Sequence, residues 1–235
     1  MQAKLRRPPV RYVMLFPGRT GSTYLTDHMA NHPEIVANYE ILSQHQESWA
    51  EQEQFLQEMI GTPRRRSIQA IGFKTKLRSV LDQEEFERHL VKNKYHIIHL
   101  TRSNPLKFVV SIVRAELLRQ QNGSSNLIDS QHPELGPTVI PLADFAKAKT
   151  RLRRHHRLTQ VIDRLNLPTM NFAYEDLLKN EQAALRKVWG FLGVRSIVTT
   201  GRTRKNTPGN LRNAVTNLDE IIDHHPEMAR YVDQL

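Results

Sequence analysis

Four short apolar runs rich in β-branched and aromatic residues punctuate the chain: residues 10–16 (VRYVMLF), 68–73 (IQAIGF), 95–100 (YHIIHL) and 168–173 (PTMNFA). Their length and composition predict buried strands. Between them lie stretches whose apolar positions recur at helical spacing. Residues 46–60 place Trp49, Phe55, Leu56, Met59 and Ile60 among Glu and Gln. Residues 82–92 begin at Asp82, with Glu84 and Glu85 in the first turn, where acids favour a helix start. Pro105 opens a helix to about residue 120, a long helix is predicted from Pro141 to about residue 165, and residues 181–192 form another, stopped by Gly193. A short helix over 219–224 and a tail helix from Pro226 close the chain. Residues 35–41 are mixed and predict an irregular strand or loop, while residues 121–140 and 195–213, rich in Gly, Ser, Asn, Thr and Pro, predict long loops. Strands alternating with helices predict an α/β fold, P-loop-like, with three α/β/α layers around a mainly parallel central sheet. At 235 residues this is a single domain, with 1–9 as an N-terminal tail. Ligands of such sheets bind beyond the carboxyl ends of the strands, so the segments after Phe16, Phe73, Leu100 and Ala173 are where chemistry is expected.

The segment after the first strand is the most informative. Pro17, Gly18 and Gly21 break regular structure, and Ser22 or Thr23 is positioned to cap the helix that Tyr24, Leu25 and Met29 suggest, with Asp27 in its first turns. Strand, glycine turn and helix N-terminus form an anion cradle, because free N–H groups converge where the helix dipole favours negative charge. Arg19 adds a forked cation inside the turn. An NTPase loop reads GxxxxGK[ST]; here Gly21 is followed directly by Ser22 and Thr23, and the spacing from Gly18 is too short. A turn that merely packs a strand on a helix has no use for an arginine and three hydroxyl residues.

Net charge changes the picture further. Lys and Arg outnumber Asp and Glu by 34 to 24, a net +10, which suits nucleic acid, an anionic membrane or a polyanionic ligand. No helix-turn-helix, zinc-finger or basic–aromatic RNA-binding pattern accompanies it, so a small multiply charged ligand is the more specific use. The absence of cysteine excludes disulfides and thiolate metal sites and fits a reducing compartment. No stretch approaches the roughly 20 apolar residues of a membrane span, and the basic N-terminus lacks a signal peptide's apolar core. A cytoplasmic location is expected, although a lumenal chain trimmed of its anchor would have the same composition.

PGRTGSTYL resembles the phosphosulfate loop of the PAPS-dependent sulfotransferases, whose donor is 3′-phosphoadenosine-5′-phosphosulfate. The resemblance implies that Pro17, Gly18, Arg19, Thr20, Gly21, Ser22 and Thr23 hold the phosphosulfate. HLTRSNPLKFVVSIVRA (99–115) resembles the family's second motif, which implies that Arg102 and Ser111 hold the 3′-phosphate. The two are nine residues apart, one more than the commonest spacing; the extra residue is absorbed in the turn or weakens the serine's part. TRKNTPGNLRNAVTNLDEI (203–221) resembles the nucleotide-covering loop and would bring Arg204 and Lys205 to the 3′-phosphate or near adenine. YEDLLKN (174–180) is similar to the segment after the family's fourth strand and reads as a fold marker, since a Tyr-Glu-Asp helix start also has a capping explanation.

The resemblance spans about residues 10–221, is nearest to bacterial enzymes that modify glycans and glycolipids, and implies sulfuryl transfer to an acceptor hydroxyl without a metal. The acceptor needs a base within hydrogen-bond reach. Glu40, where such bacterial members carry a Glu, is the first candidate, and His45 the next. Lys74 or Lys76, after the second predicted strand, would neutralise charge on the leaving phosphate, according to register, with Arg19 as competitor. His155 and His156 diverge on a helix and, with Arg151, Arg153, Arg154 and Arg157, form a basic segment facing solvent or an acidic substrate. A nucleotide or small-molecule kinase and a polyanion-binding module are the alternative classes.

Overall fold

The structure is a computed structural model that describes residues 7–45, 47–61, 63, 65–123, 127–128, 135–204 and 209–234. Its core is a five-stranded sheet in which every neighbouring pair is parallel. The strands are β1 (Val10–Leu15), β2 (Ile35–Asn38), β3 (Ala70–Thr75), β4 (His96–Thr101) and, last in the chain, β6 (Thr169–Ala173). They stand in the order β2-β3-β1-β4-β6. The four predicted strands are present, with ends shifted by one or two residues, and the mixed segment 35–41 supplies a short edge strand followed by a 3₁₀ turn at Ile41–Gln44.

The alternation of β1 builds two cores. Tyr12 and Met14 point to one face, with Phe16 just beyond, and pack with α1 (Ser22–Ala30) and α8 (Glu181–Leu192), whose Trp189 is fully buried. Val13 and Leu15 point to the other and pack under α2 (Trp49–Met59), α3 (Gln83–Lys92) and α6 (Arg153–Leu165). This is the predicted three-layer α/β/α arrangement. A third cluster joins α4 (Pro105–Asn122) and α5 (Leu142–Lys149) to the C-terminal segment around α9 (Leu218–His224).

Local signals operate as expected at several ends. The Asp82 carboxylate accepts from Glu85 N and the Asn104 side chain from Lys107 N, with Pro105 as the first helical residue of α4. Gly193 ends α8 in the left-handed region, at φ 67°. The helix predicted over 141–165 is instead two: a 3₁₀ turn at Thr150–Leu152 separates α5 from α6. A change from α to 3₁₀ winding rotates the apolar stripe, so α5 joins the third cluster while α6 covers the sheet. The tail from Pro226 is 3₁₀ rather than α-helical.

The segment predicted as loop over 121–140 opens with the last turn of α4 and contains β5 (Leu127–Ile128), which pairs antiparallel with β7 (Thr203–Arg204) of the second predicted loop. Further on, fully buried Arg114 of α4 donates to the carbonyls of Leu135, Gly136 and Ala214 and to Thr138 Oγ1, tying both segments to the helix.

Candidate active site

The cleft lies where the topology places it, beyond the carboxyl ends of β1, β3 and β4, with a volume of about 930 Å³. Its floor is the turn after β1. Gly18 (φ 103°), Arg19 (φ 54°) and Gly21 (φ 73°) take left-handed conformations, which curl the main chain back on itself. Gly21, rather than Ser22 or Thr23, is the N-cap residue of α1, and no side chain caps the helix. The hydroxyls do not occupy the first-turn N–H groups, so these stay available to a ligand. Gly21 is required for a second reason: a Cβ there would stand 2.3 Å from the ring of Tyr174. Asp27 lies deeper in α1, buried, where its Oδ1 accepts from Tyr39 Oη at 2.5 Å.

Two guanidinium groups converge on this turn. Arg102, after β4, has a side chain only 5% exposed and donates from Nη1 to the Arg19 carbonyl at 3.3 Å. Arg19 Nε donates to Ser111 Oγ of α4, also at 3.3 Å. Arg102, Ser111 and the turn therefore line one cleft, although Arg102 and Ser111 are 83 and 92 residues from Arg19 in the chain. Between them Asn104 caps α4 and Pro105 is its first helical residue. Burial, and then the neighbouring Arg102, hold the Arg19 guanidinium down to about 10; burial also lowers Arg102.

The helix α7 (Tyr174–Lys179), after β6, does more than mark the fold. The Tyr174 ring packs on Gly21 and lies beneath the Arg102 guanidinium, 5.3 Å from ring centroid to Cζ. Buried Glu175 accepts from the N–H groups of Ser103 and Asn104, at 3.0 and 3.4 Å, and faces Arg102 Nε at 3.8 Å. One dipeptide thus sets both the glycine turn and the arginine. The sequence reading missed this; the signal available was the fixed position of Tyr-Glu at a strand end.

Lys74 and Lys76 point to the same face, as a period of two requires, and both flank the Phe16 ring, at 5.8 and 5.0 Å. They differ in depth. Lys74 is buried and donates from Nζ to Thr23 Oγ1 at 2.9 Å, beneath the turn. Burial pushes its ammonium down to about 8. Lys76 lines the cleft itself and is ion-paired with Glu40, a half-buried carboxylate on the same wall. His45 is turned away and pairs with Glu51 at 2.9 Å. Pro17, Gly18, Arg19, Gly21, Ser22 and Thr23 all line the cleft. Thr20 does not; it is fully buried, and its hydroxyl has no hydrogen-bond partner among the described residues. Arg204 enters the structure through the backbone of β7 only, and Lys205 lies outside the described residues. Among the described residues no group of three or more His, Asp or Glu side chains is placed to hold a metal ion, and no helix is long and apolar enough to cross a membrane.

The parallel sheet and its flanking helices share their fold with a solved sulfotransferase. The solved structure of mouse sulfotransferase SULT7A1 complexed with PAP superposes with a TM-score of 0.51 at 15% identity, over 80% of this chain and 61% of that one. No protein-family model matches the chain. Among curated proteins it is 25% identical to nodulation protein H of Rhizobium tropici over 228 residues, 92% of this chain and 89% of the relative. Nodulation protein H of Rhizobium meliloti strain 1021 is likewise 25% identical, over 231 residues and 92% of each chain. The chain is thus similar in sequence to nodulation protein H along most of its length, and similar in fold to the solved sulfotransferase.

The contact between Gly21 and Tyr174 yields a direct prediction. Gly21→Ala imposes an unfavourable φ and a ring clash, a cost of about 1–3 kcal/mol, whereas Gly136→Ala meets open space. Thermal unfolding should show the first variant destabilised and the second close to the parent; equal melting temperatures would contradict the packing described.

Proposed function

We propose that the chain transfers the sulfuryl group of 3′-phosphoadenosine-5′-phosphosulfate to a hydroxyl of a carbohydrate or glycolipid acceptor. The observation that carries the reading is the meeting of Arg102 with the turn at Gly18–Thr23 in one cleft, which provides for a ligand with anionic groups at two separate points. The residues present fit such a donor. Buried Arg19, Arg102 and Lys74 are cations whose charge burial disfavours, and a bound anion would offset that cost. The donor supplies a sulfuryl group already joined to a good leaving group, open to in-line displacement.

Residue roles follow from position. The free N–H groups of the first turn of α1, with Ser22 and Thr23, hold the phosphosulfate end. Arg102 holds the 3′-phosphate, and Ser111 shares that end while orienting Arg19. Thr20 supports the turn from below. Arg204 and Lys205 are assigned to the covering loop by the family resemblance. Lys74 reaches the turn through Thr23, and Lys76 is the cation placed to stabilise charge on the leaving phosphate. Glu40 takes the proton from the acceptor hydroxyl, and its pairing with Lys76 holds it in the cleft wall. The outer half of the cleft, lined by charged side chains, suits the hydroxyl-rich surface of a glycan. The absence of cysteine is in keeping with work in a reducing, cytoplasmic compartment.

Three measurements test these roles. Arg102→Ala should weaken binding of adenosine 3′,5′-bisphosphate (PAP) by about tenfold or more in calorimetry, the loss expected for a charged hydrogen bond; unchanged affinity refutes the assignment. Glu40→Gln should bind PAP like the parent and lose turnover with labelled donor, and retained turnover would move the base elsewhere. Lys74 gives a pH signature. Anion binding favours its protonated form, so PAP affinity should be level near pH 7, where the phosphates are already ionised, and fall as pH rises through about 8. Lys74→Met should bind less tightly at pH 7 and lose that decline; a decline that persists in the variant assigns it to another group.

A further inference from the structure

The cleft also holds a group of arginines to which the proposed roles assign nothing. Arg78 stands in the 3₁₀ turn after β3, Arg151 in the turn between α5 and α6, and Arg154 in the first turn of α6; all three line the cleft. They come from segments more than 70 residues apart and are brought together only by the fold. Arg154 loses some of its preference for the charged form, through burial first and then through the nearby charges of Arg78 and Arg151. Among the described residues none of the three makes an ion pair within 4.0 Å. The carboxylate that feels Arg151 is Glu116, and it is bonded to Arg119 at 2.5 Å. Like charges gathered in one cleft, with neighbouring Glu116 engaged by Arg119 and Glu40 by Lys76, call for an anion from outside the chain.

The position decides whose anion it is. Arg102 belongs to the segment after β4, and its ring partner Tyr174 follows β6, on one side of β1. Arg78 follows β3, on the other side of β1, two residues beyond the lysine that pairs with Glu40. A molecule presenting a hydroxyl to Glu40 passes Arg78, while Arg151, near Glu116 of α4, closes the group from the opposite wall. We infer that Arg78, Arg151 and Arg154 form an oxyanion subsite for the acceptor, so that the sulfated molecule is a glycan bearing a carboxylate or phosphate near the reacting hydroxyl. This deepens the sulfotransferase reading and rests on it.

The test is calorimetry on PAP-saturated protein with three glucose tetramers: one uncharged, one with a glucuronate residue, one with a phosphate monoester. The parent should bind a charged tetramer at least about tenfold more tightly than the uncharged one, with a preference that weakens as salt is raised. Whichever charged tetramer binds more tightly identifies the oxyanion. The variant Arg78→Gln/Arg154→Gln should lose the preference while its PAP affinity and melting temperature stay close to the parent values. Equal binding of all three tetramers, binding of none, or a preference that survives the double substitution overturns the inference alone. Failure of the parent to bind PAP overturns the donor assignment and this inference with it.

Discussion

The site depends on one electrostatic imbalance. Arg19 and Arg102 are held side by side in a cleft that disfavours their charge, with Glu175 as the carboxylate set against Arg102. Two guanidinium groups so close repel each other, and the main chain restrains them. Arg102 is fixed by the Arg19 carbonyl, by Glu175 and by the face of Tyr174, while Arg19 is fixed by Ser111. The protein bears the cost of holding positive charge before the ligand arrives, which is what preorganisation means physically. Substituting any of these neighbours should act through the geometry of the arginines even when the residue itself never meets a ligand.

Sheet order explains how residues so distant in sequence reach one place. β1 is central, β3 and β4 flank it, and every strand points its carboxyl end the same way. The turn after β1 is therefore bracketed by Lys74 and Lys76 on one side and Arg102 on the other. The cores above and below hold these ends rigidly, and α7 returns from β6 to lock the turn through Tyr174 and Gly21. The binding functions divide along the same line. In the proposed reading the nucleotide end lies toward β4 and β6, and the candidate base and Arg78 lie toward β3.

Much of this was legible in the sequence because it is written in local chemistry. Strand, glycines and hydroxyls at 10–23 could be read directly, and so could the Asp82 and Asn104–Pro105 helix starts. Other features depend on packing that no local window holds. β2 is only four residues long and survives as an edge strand because β3 pairs with it. The break at Thr150–Leu152 carries no proline or glycine; two different surfaces on either side decide it. The depth difference between Lys74 and Lys76 depends on α1 offering Thr23 to the first, and the role of Tyr174 depends on a glycine 153 residues earlier in the chain. The arginine group is the extreme case: the basic run at 151–157 reads as facing either solvent or an acidic substrate, and no local window holds the approach of Arg78.

The most direct test of the account is the position of the two phosphates in a crystal structure of the protein with PAP. The account places the 5′-phosphate on the N–H groups of the Gly18–Thr23 turn and the 3′-phosphate on the Arg102 guanidinium, each at hydrogen-bond distances of about 3 Å. A nucleotide bound elsewhere, or one whose 3′-phosphate lies on the Arg78 side of the cleft, would contradict it.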